Sequence, residues 1–309
     1  MTRRIFGATS AAALAAAAAA AAPNRKMTIQ LSAGSIGVKA DQQQAIEYAS
    51  RFGFESVDAY AGQIANMSED ARKRMLDDMR AKKVVWGNAG LTVDFRGADA
   101  AFQSTLKDFP RIAAALQSVG VTRVTTWITS FHDTLNYLEN FKQHTMRLRE
   151  CAKVLADHGQ RLGLEYLGPK TLWTSKRHSF IHSMKEGREL IAAIGTGNVG
   201  FVIDSWHWFT AHETVADLET LKNSEIVSCD LNDAPAGREI DQQIDSQREL
   251  PMATGVIDTK GFLSALVKVG CDAPVRAEPF NAALRAMPPE QALQATIDAM
   301  KKAFALIGG

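Results

Sequence analysis

Four apolar runs in the second half of the chain each carry a carboxylate near the same relative place. Glu165 stands in RLGLEYL (161–167), Asp204 closes VGFVID (199–204), Asp230 stands in EIVSCDL (225–231) and Glu278 in PVRAEPF (274–280). Buried strands rarely end on a charge, because taking an ionised carboxyl out of water is costly. Four gathered together would also repel one another and retain their protons. A divalent cation bound by oxygen ligands removes both penalties. An all-oxygen set favours Mn²⁺ or Mg²⁺, with Co²⁺ and Zn²⁺ as alternatives, since zinc more often recruits His or Cys. One divalent ion is therefore expected on Glu165, Asp204, Asp230 and Glu278. Any single acid has an ordinary explanation, a salt bridge or a helix cap at a strand–helix junction. Four in succession make that explanation strained.

Other residues fall around this set. His207 follows Asp204 by three positions, between Trp206 and Trp208. It is expected to meet a substrate hydroxyl, the plainer alternative being a packed histidine. Either tryptophan could wall a sugar pocket or lie in the core. Lys170 in LGPKT and Arg248 in SQREL are the cations expected near substrate oxygens, against an alternative as solvated surface charges. Asn88, Trp86 and Trp127 end or line two earlier strands and are expected at the same mouth.

Something must bring these residues together. Eight short, strand-like runs alternate with helical patterns: 27–34, 54–60, 84–90, 123–129, 161–167, 199–204, 225–231 and 274–280. The intervening helices are expected at 40–52, 68–82, 98–118, 133–157, 180–194, 214–222, 259–269 and 289–306. Near-continuous apolar strands between amphipathic helices indicate a parallel sheet covered on its outer face. Eight such units predict an α/β fold, a single (β/α)8 barrel, whose active site lies at the C-terminal ends of the strands. An open doubly wound sheet is the rival, weakened by the lack of a glycine-rich fingerprint after the first strand. The longest irregular piece, residues 232–255, is too long for a mere connection and is expected to be functional or mobile.

The chain has 309 residues, with 35 basic against 34 acidic. That balance gives no nucleic-acid-binding stripe. Cys151, Cys229 and Cys271 cannot all pair, so no disulfide framework is expected. Residues 1–24 open on Thr2-Arg3-Arg4-Ile5-Phe6 and continue through an alanine-rich stretch. They read as an export signal of twin-arginine type, leaving residues 25–309 as the barrel domain in an exported, periplasmic setting. The alanine stretch is too short and too weakly apolar for a stable membrane span.

The runs GLEYLGPKTLW, NVGFVIDSWHWF, IVSCDLNDAPAG, RELPMATGVID and VRAEPFN resemble the xylose-isomerase-like TIM-barrel superfamily of sugar (phosphate) isomerases and epimerases. The resemblance extends over residues 28 to 305 and is strongest from 160 to 281. It implies metal ligation by Glu165, Asp204 and Glu278. The third position is often His or Gln in relatives, where this chain has Asp230, a departure that favours a harder metal. The resemblance further implies that Glu165 and Glu278 move a proton α to the carbonyl of a keto-sugar. Return of that proton gives an epimer or an isomer. Loss of a β-hydroxyl instead makes a dehydratase or lyase. An exported barrel that binds sugar without chemistry is the alternative of a different class. The DNA-repair relatives carry more histidines than this chain has, so the expected partner is a small carbohydrate. The sequence leaves a homo-oligomer open.

Overall fold

The computed structural model describes residues 25–308; the expected export signal lies outside the described residues. Eight parallel strands form a closed barrel: β1 (Thr28–Leu31), β2 (Ser56–Ala59), β3 (Val85–Gly90), β4 (Arg123–Trp127), β5 (Arg161–Glu165), β6 (Val199–Asp204), β7 (Ile226–Asp230) and β8 (Pro274–Arg276). Each strand pairs with its sequence neighbours, and β8 closes on β1 through Thr28–Pro274, Ile29–Val275 and Gln30–Arg276. The interior is packed, not hollow. A Cβ on Gly163 of β5 would come within 2.9 Å of Val227 and 3.2 Å of Thr125 and Val202. Only glycine leaves room where side chains from β4, β6 and β7 converge.

Helices cover the outside and bury their apolar faces against the strands. Two of the longer ones start at capping boxes, Asp41 with Gln44 before Gln42–Phe52 and Asn136 with Glu139 before Tyr137–Asp157. Such caps satisfy backbone N–H groups that the first helical turn leaves unpaired. No helix among the described residues is long and apolar enough to cross a membrane.

Three departures from the expected elements bear on the site. Residues 131–132 and 178–179 form a small antiparallel ribbon, so the helices expected from 133 and 180 begin at Tyr137 and Met184. A short helix, Ser205–Thr210, follows β6 at once, capped by Asp204 itself, whose Oδ1 accepts the Trp206 N–H at 2.8 Å. The last strand stops at Arg276, so Glu278 lies two residues beyond it.

Candidate metal and substrate site

The strand register assembles the carboxylates. Asp204 and Asp230 are lateral neighbours across β6 and β7, and Asp230 is the neighbour of Arg276 across β7 and β8. Glu165, Asp204, Asp230 and Glu278 each bring one oxygen within 4.8 Å of the others'. Asp204 and Asp230 are fully buried, and Glu165 nearly so.

Two arginines counter part of this charge. Arg276 grips Asp230 with a two-pronged fork, Nε to Oδ1 at 2.8 Å and Nη2 to Oδ2 at 2.9 Å, and also reaches Glu278 Oε1 at 3.1 Å. Arg248 is buried and donates from Nη1 to Asp204 Oδ2 at 2.8 Å and to the Glu278 carbonyl at 3.3 Å. Its Nη2 donates to Asp245 Oδ1 at 2.8 Å. Asn232 ties the set together, donating to Asp204 Oδ1 at 3.0 Å and accepting the Glu278 N–H at 2.9 Å.

The counter-charge is incomplete. Glu165 Oε1 is buried with no hydrogen-bond partner among the described residues. An orphaned carboxylate oxygen beside three other acids fits a bound cation, and the oxygen donor set fits a hard divalent one. In the bare protein, burial pushes the Glu165 carboxyl well above its ordinary range, and Glu278, Asp230 and Asp204 push it further. Burial raises Asp204 to about 7 even against the opposing Arg248. Glu278 is raised by burial as well, with Arg276 opposing.

The remaining expected residues separate. His207 is fully buried and does not line the cavity beside the carboxylates. Its Nδ1 accepts the Gly168 N–H at 3.2 Å, and the Arg248 Nη2 lies 3.2 Å from its Nε2. That atom lies 3.7 Å from both Glu165 and Asp204. Burial and Arg248 hold the ring neutral, with its pKa lowered to about 3. The contact needs Gly168: a Cβ there would meet the His207 carbonyl at 2.4 Å. Lys170 lies on the surface, 2.6 Å from Asp241, outside the cavity. Asn88 lines the cavity, its amide bound to Gln30 at 2.9 Å and Thr125 at 2.8 Å. Trp127 lines it too, half exposed. Trp86 sits at the opposite end of its strand, its Nε1 donating to the Val119 carbonyl at 2.9 Å. Trp206 and Trp208 are core.

Four site residues escaped the sequence reading. Arg276 shares a face with Glu278 by the two-residue period of a strand, a signal that was available. Asp58 stands one residue before the end of β2, on the same rim as the other acids, its carboxylate accepting from Gln30 and, at 2.6 Å, from Ser32. Asn232 and Asp245 lie in the long loop after β7, where spacing says nothing about which side chains turn inward.

The cavity has a volume of about 810 Å³. Glu165, Asp245, Arg248, Arg276 and Glu278 form one side; Tyr60, Leu91, Thr126 and Trp127 form the other.

A closed parallel barrel with a carboxylate cluster at its C-terminal mouth fits a barrel protein that holds a metal ion there. The chain belongs to the xylose isomerase-like TIM-barrel family, whose model matches residues 46–303. It is 25% identical over 169 residues to the inosose isomerase of Bacillus subtilis, a match covering 52% of this chain and 55% of that protein. The chain thus spans about half the length of the curated relatives it matches. Among solved structures, it is similar to a xylose isomerase domain protein from Alicyclobacillus acidocaldarius, with 26% identity, TM-score 0.78, and 89% and 97% of the two chains covered. It shares its fold with the zinc-bound IOLI protein, with 17% identity, TM-score 0.73, and 90% and 98% covered. The same holds for a D-psicose 3-epimerase solved in the presence of D-fructose, with 15% identity, TM-score 0.70, and 91% and 99% covered.

Proposed function

We propose that the protein is a divalent-metal-dependent isomerase or epimerase that removes a proton α to the carbonyl of a keto-sugar. The observation that carries this reading is the set of four carboxylate oxygens within 4.8 Å of one another at the barrel mouth, one residue of which has an oxygen left unpartnered. Glu165, Asp204, Asp230 and Glu278 would hold the ion, Mn²⁺ or Mg²⁺ by their chemistry, with the zinc-bound relative keeping Zn²⁺ in view. When bound, it supplies a Lewis acid for the substrate carbonyl.

The chain's own residues do the rest. Glu165 and Glu278 approach from β5 and from beyond β8, with two strands between them. One takes the proton and the other returns it from the opposite side. Arg248 and Asn232 hold Asp204 in place, and Arg276 does the same for Asp230. His207, locked as a neutral ring, fixes the wall behind Glu165. The relatives named for isomerases and epimerases support the same class of reaction. The N-terminal segment supports an exported location for it.

The test is solvent exchange. A panel of keto-sugars incubated with the Mn²⁺-loaded protein in D₂O should take up deuterium α to the carbonyl, whatever the product. Absence of exchange on every keto-sugar, from protein that demonstrably binds the ion and the sugar, sinks the reading and returns the protein to the class of binders.

A further inference from the structure

The chamber is larger than the proton transfer requires. Its volume of about 810 Å³ is near the top of the ~300–1,000 Å³ range of pockets that enclose drug-sized ligands. One sugar ring over the carboxylates leaves the β2–β4 side unfilled. That side is built from Tyr60 after β2, Leu91 after β3 and Trp127 at the end of β4.

Trp127 is 51% exposed, whereas Trp206 and Trp208 are core. It is also held. The Arg96 guanidinium lies 3.9 Å from the ring centroid and donates to Thr126 Oγ1 at 2.6 Å and to the Trp127 carbonyl at 2.5 Å. Trp127 lines the chamber and Arg96 does not, so the ring presents apolar surface to the chamber. A fixed, exposed aromatic surface suits the C–H face of a sugar or another ring. Trp127 is the lateral neighbour of Glu165 in the barrel, so a group stacked on it sits one strand away from the proton-transfer carboxylate.

Charge sets the second limit. The chamber's only lining cations among the described residues are Arg248 and Arg276. Arg248 is engaged by Asp204, Asp245 and the Glu278 carbonyl, and Arg276 by Asp230 and Glu278. Asp58, Glu165, Asp245 and Glu278 line the same space. A phosphate or carboxylate on the substrate would face acids with no free counter-ion.

We propose that the substrate is an uncharged glycoside of a keto-sugar, its keto-sugar ring over the carboxylates and its second ring stacked on Trp127. This rests on the isomerase/epimerase reading for the sugar end and on the chamber's far wall for the aglycone.

The test compares three probes: a hexose with its ketone on a ring carbon, the phenyl glycoside of that sugar, and the same sugar phosphorylated on its primary hydroxyl. Deuterium uptake gives kcat/KM, and calorimetry gives binding. The phenyl glycoside should exceed the free sugar by at least ~10-fold, and the phosphorylated sugar should fall below it by a similar factor. Trp127→Ala should lower the glycoside's kcat/KM by at least ~10-fold more than the free sugar's, while Trp127→Phe keeps most of the preference. An unchanged melting temperature shows that both variants fold. If the free sugar exchanges as fast as its glycoside, the proton-transfer reading stands and this proposal falls. If nothing exchanges but the glycoside binds in a Trp127-dependent way, the aglycone site stands and the reaction assignment falls. If none of the probes binds, the proposal is overturned.

Discussion

The two sides of the barrel mouth are built by different physics. On the β5–β8 side, buried acids and arginines interlock, and nearly every donor is paired. On the β2–β4 side, Tyr60, Leu91 and Trp127 present neutral surface, and Trp127 is half open to solvent. Changes on the first side should therefore reach folding, metal content and turnover together. Changes on the second should reach only which substrate is taken. Breaking one side at a time tests whether that division is real.

The largest effect is expected from Asp204→Ala. It removes a proposed metal ligand and one carboxylate partner of the buried Arg248; because Asp245 still pairs with Arg248 at 2.8 Å, the loss stays below the about 3–5 kcal/mol of an uncompensated buried charge. Metal analysis should find the ion lost, and thermal unfolding should find a clear drop in midpoint. A variant that keeps both would dissolve the link between charge pairing and the metal site.

Next comes the Asp230–Arg276 fork. Arg276→Met alone should destabilise, because Asp230 is fully buried and would lose both of its bonds. Asp230→Asn added to it should recover part of the loss, with a coupling of about 0.5–3 kcal/mol in a double-mutant cycle by denaturant unfolding. Strict additivity would mean that the two residues do not act as a pair.

Glu278→Gln keeps the size and one ligand oxygen but removes a base. Deuterium exchange or net turnover should fall at least ~100-fold while sugar still binds. Exchange without product would make Glu165 the first base and Glu278 the returning acid.

A smaller effect lies behind the charged side. Glu213 accepts from the Tyr166 hydroxyl and, at 2.6 Å, from the Met184 N–H, and burial raises its carboxyl from 4.5 to about 7. The folded chain thus holds a proton that the unfolded chain releases at lower pH. The stability this contributes is full below about 4.5 and lost as pH rises through about 7. Glu213→Gln should flatten that part of the melting temperature's pH dependence; an unchanged slope would clear Glu213. Smallest of all, Trp127→Ala should leave metal content alone and shift stability by no more than about 0.5 kcal/mol, as exposed substitutions do.

The barrel and the four acids were legible because both rest on short-range rules. Strand runs alternate with helices, and strand ends fix the active rim. The same rule applied to SVDA would have brought in Asp58, and the two-residue period would have paired Arg276 with Glu278. Orientation was harder to read. Trp86 lies early in β3 and so faces the far end of the barrel. Lys170 and Arg248 look alike as isolated cations, yet one meets Asp241 at the surface and the other is buried among acids. What separates them is the path of residues 232–255. Asp233 pins that path by accepting the N–H groups of Thr254 at 2.9 Å, Gly255 at 2.7 Å and Ile257 at 3.0 Å. Such tertiary bonds leave no periodic trace in the sequence.

The central claim is that the charged side of the mouth is completed by one divalent ion. Chelator-treated protein titrated with Mn²⁺ in a calorimeter tests it most directly, with deuterium exchange on a keto-sugar followed at each step. The account predicts one ion per chain, exchange that rises with occupancy, and neither in Asp204→Ala. Metal-free wild-type protein that exchanges at the full rate would contradict it.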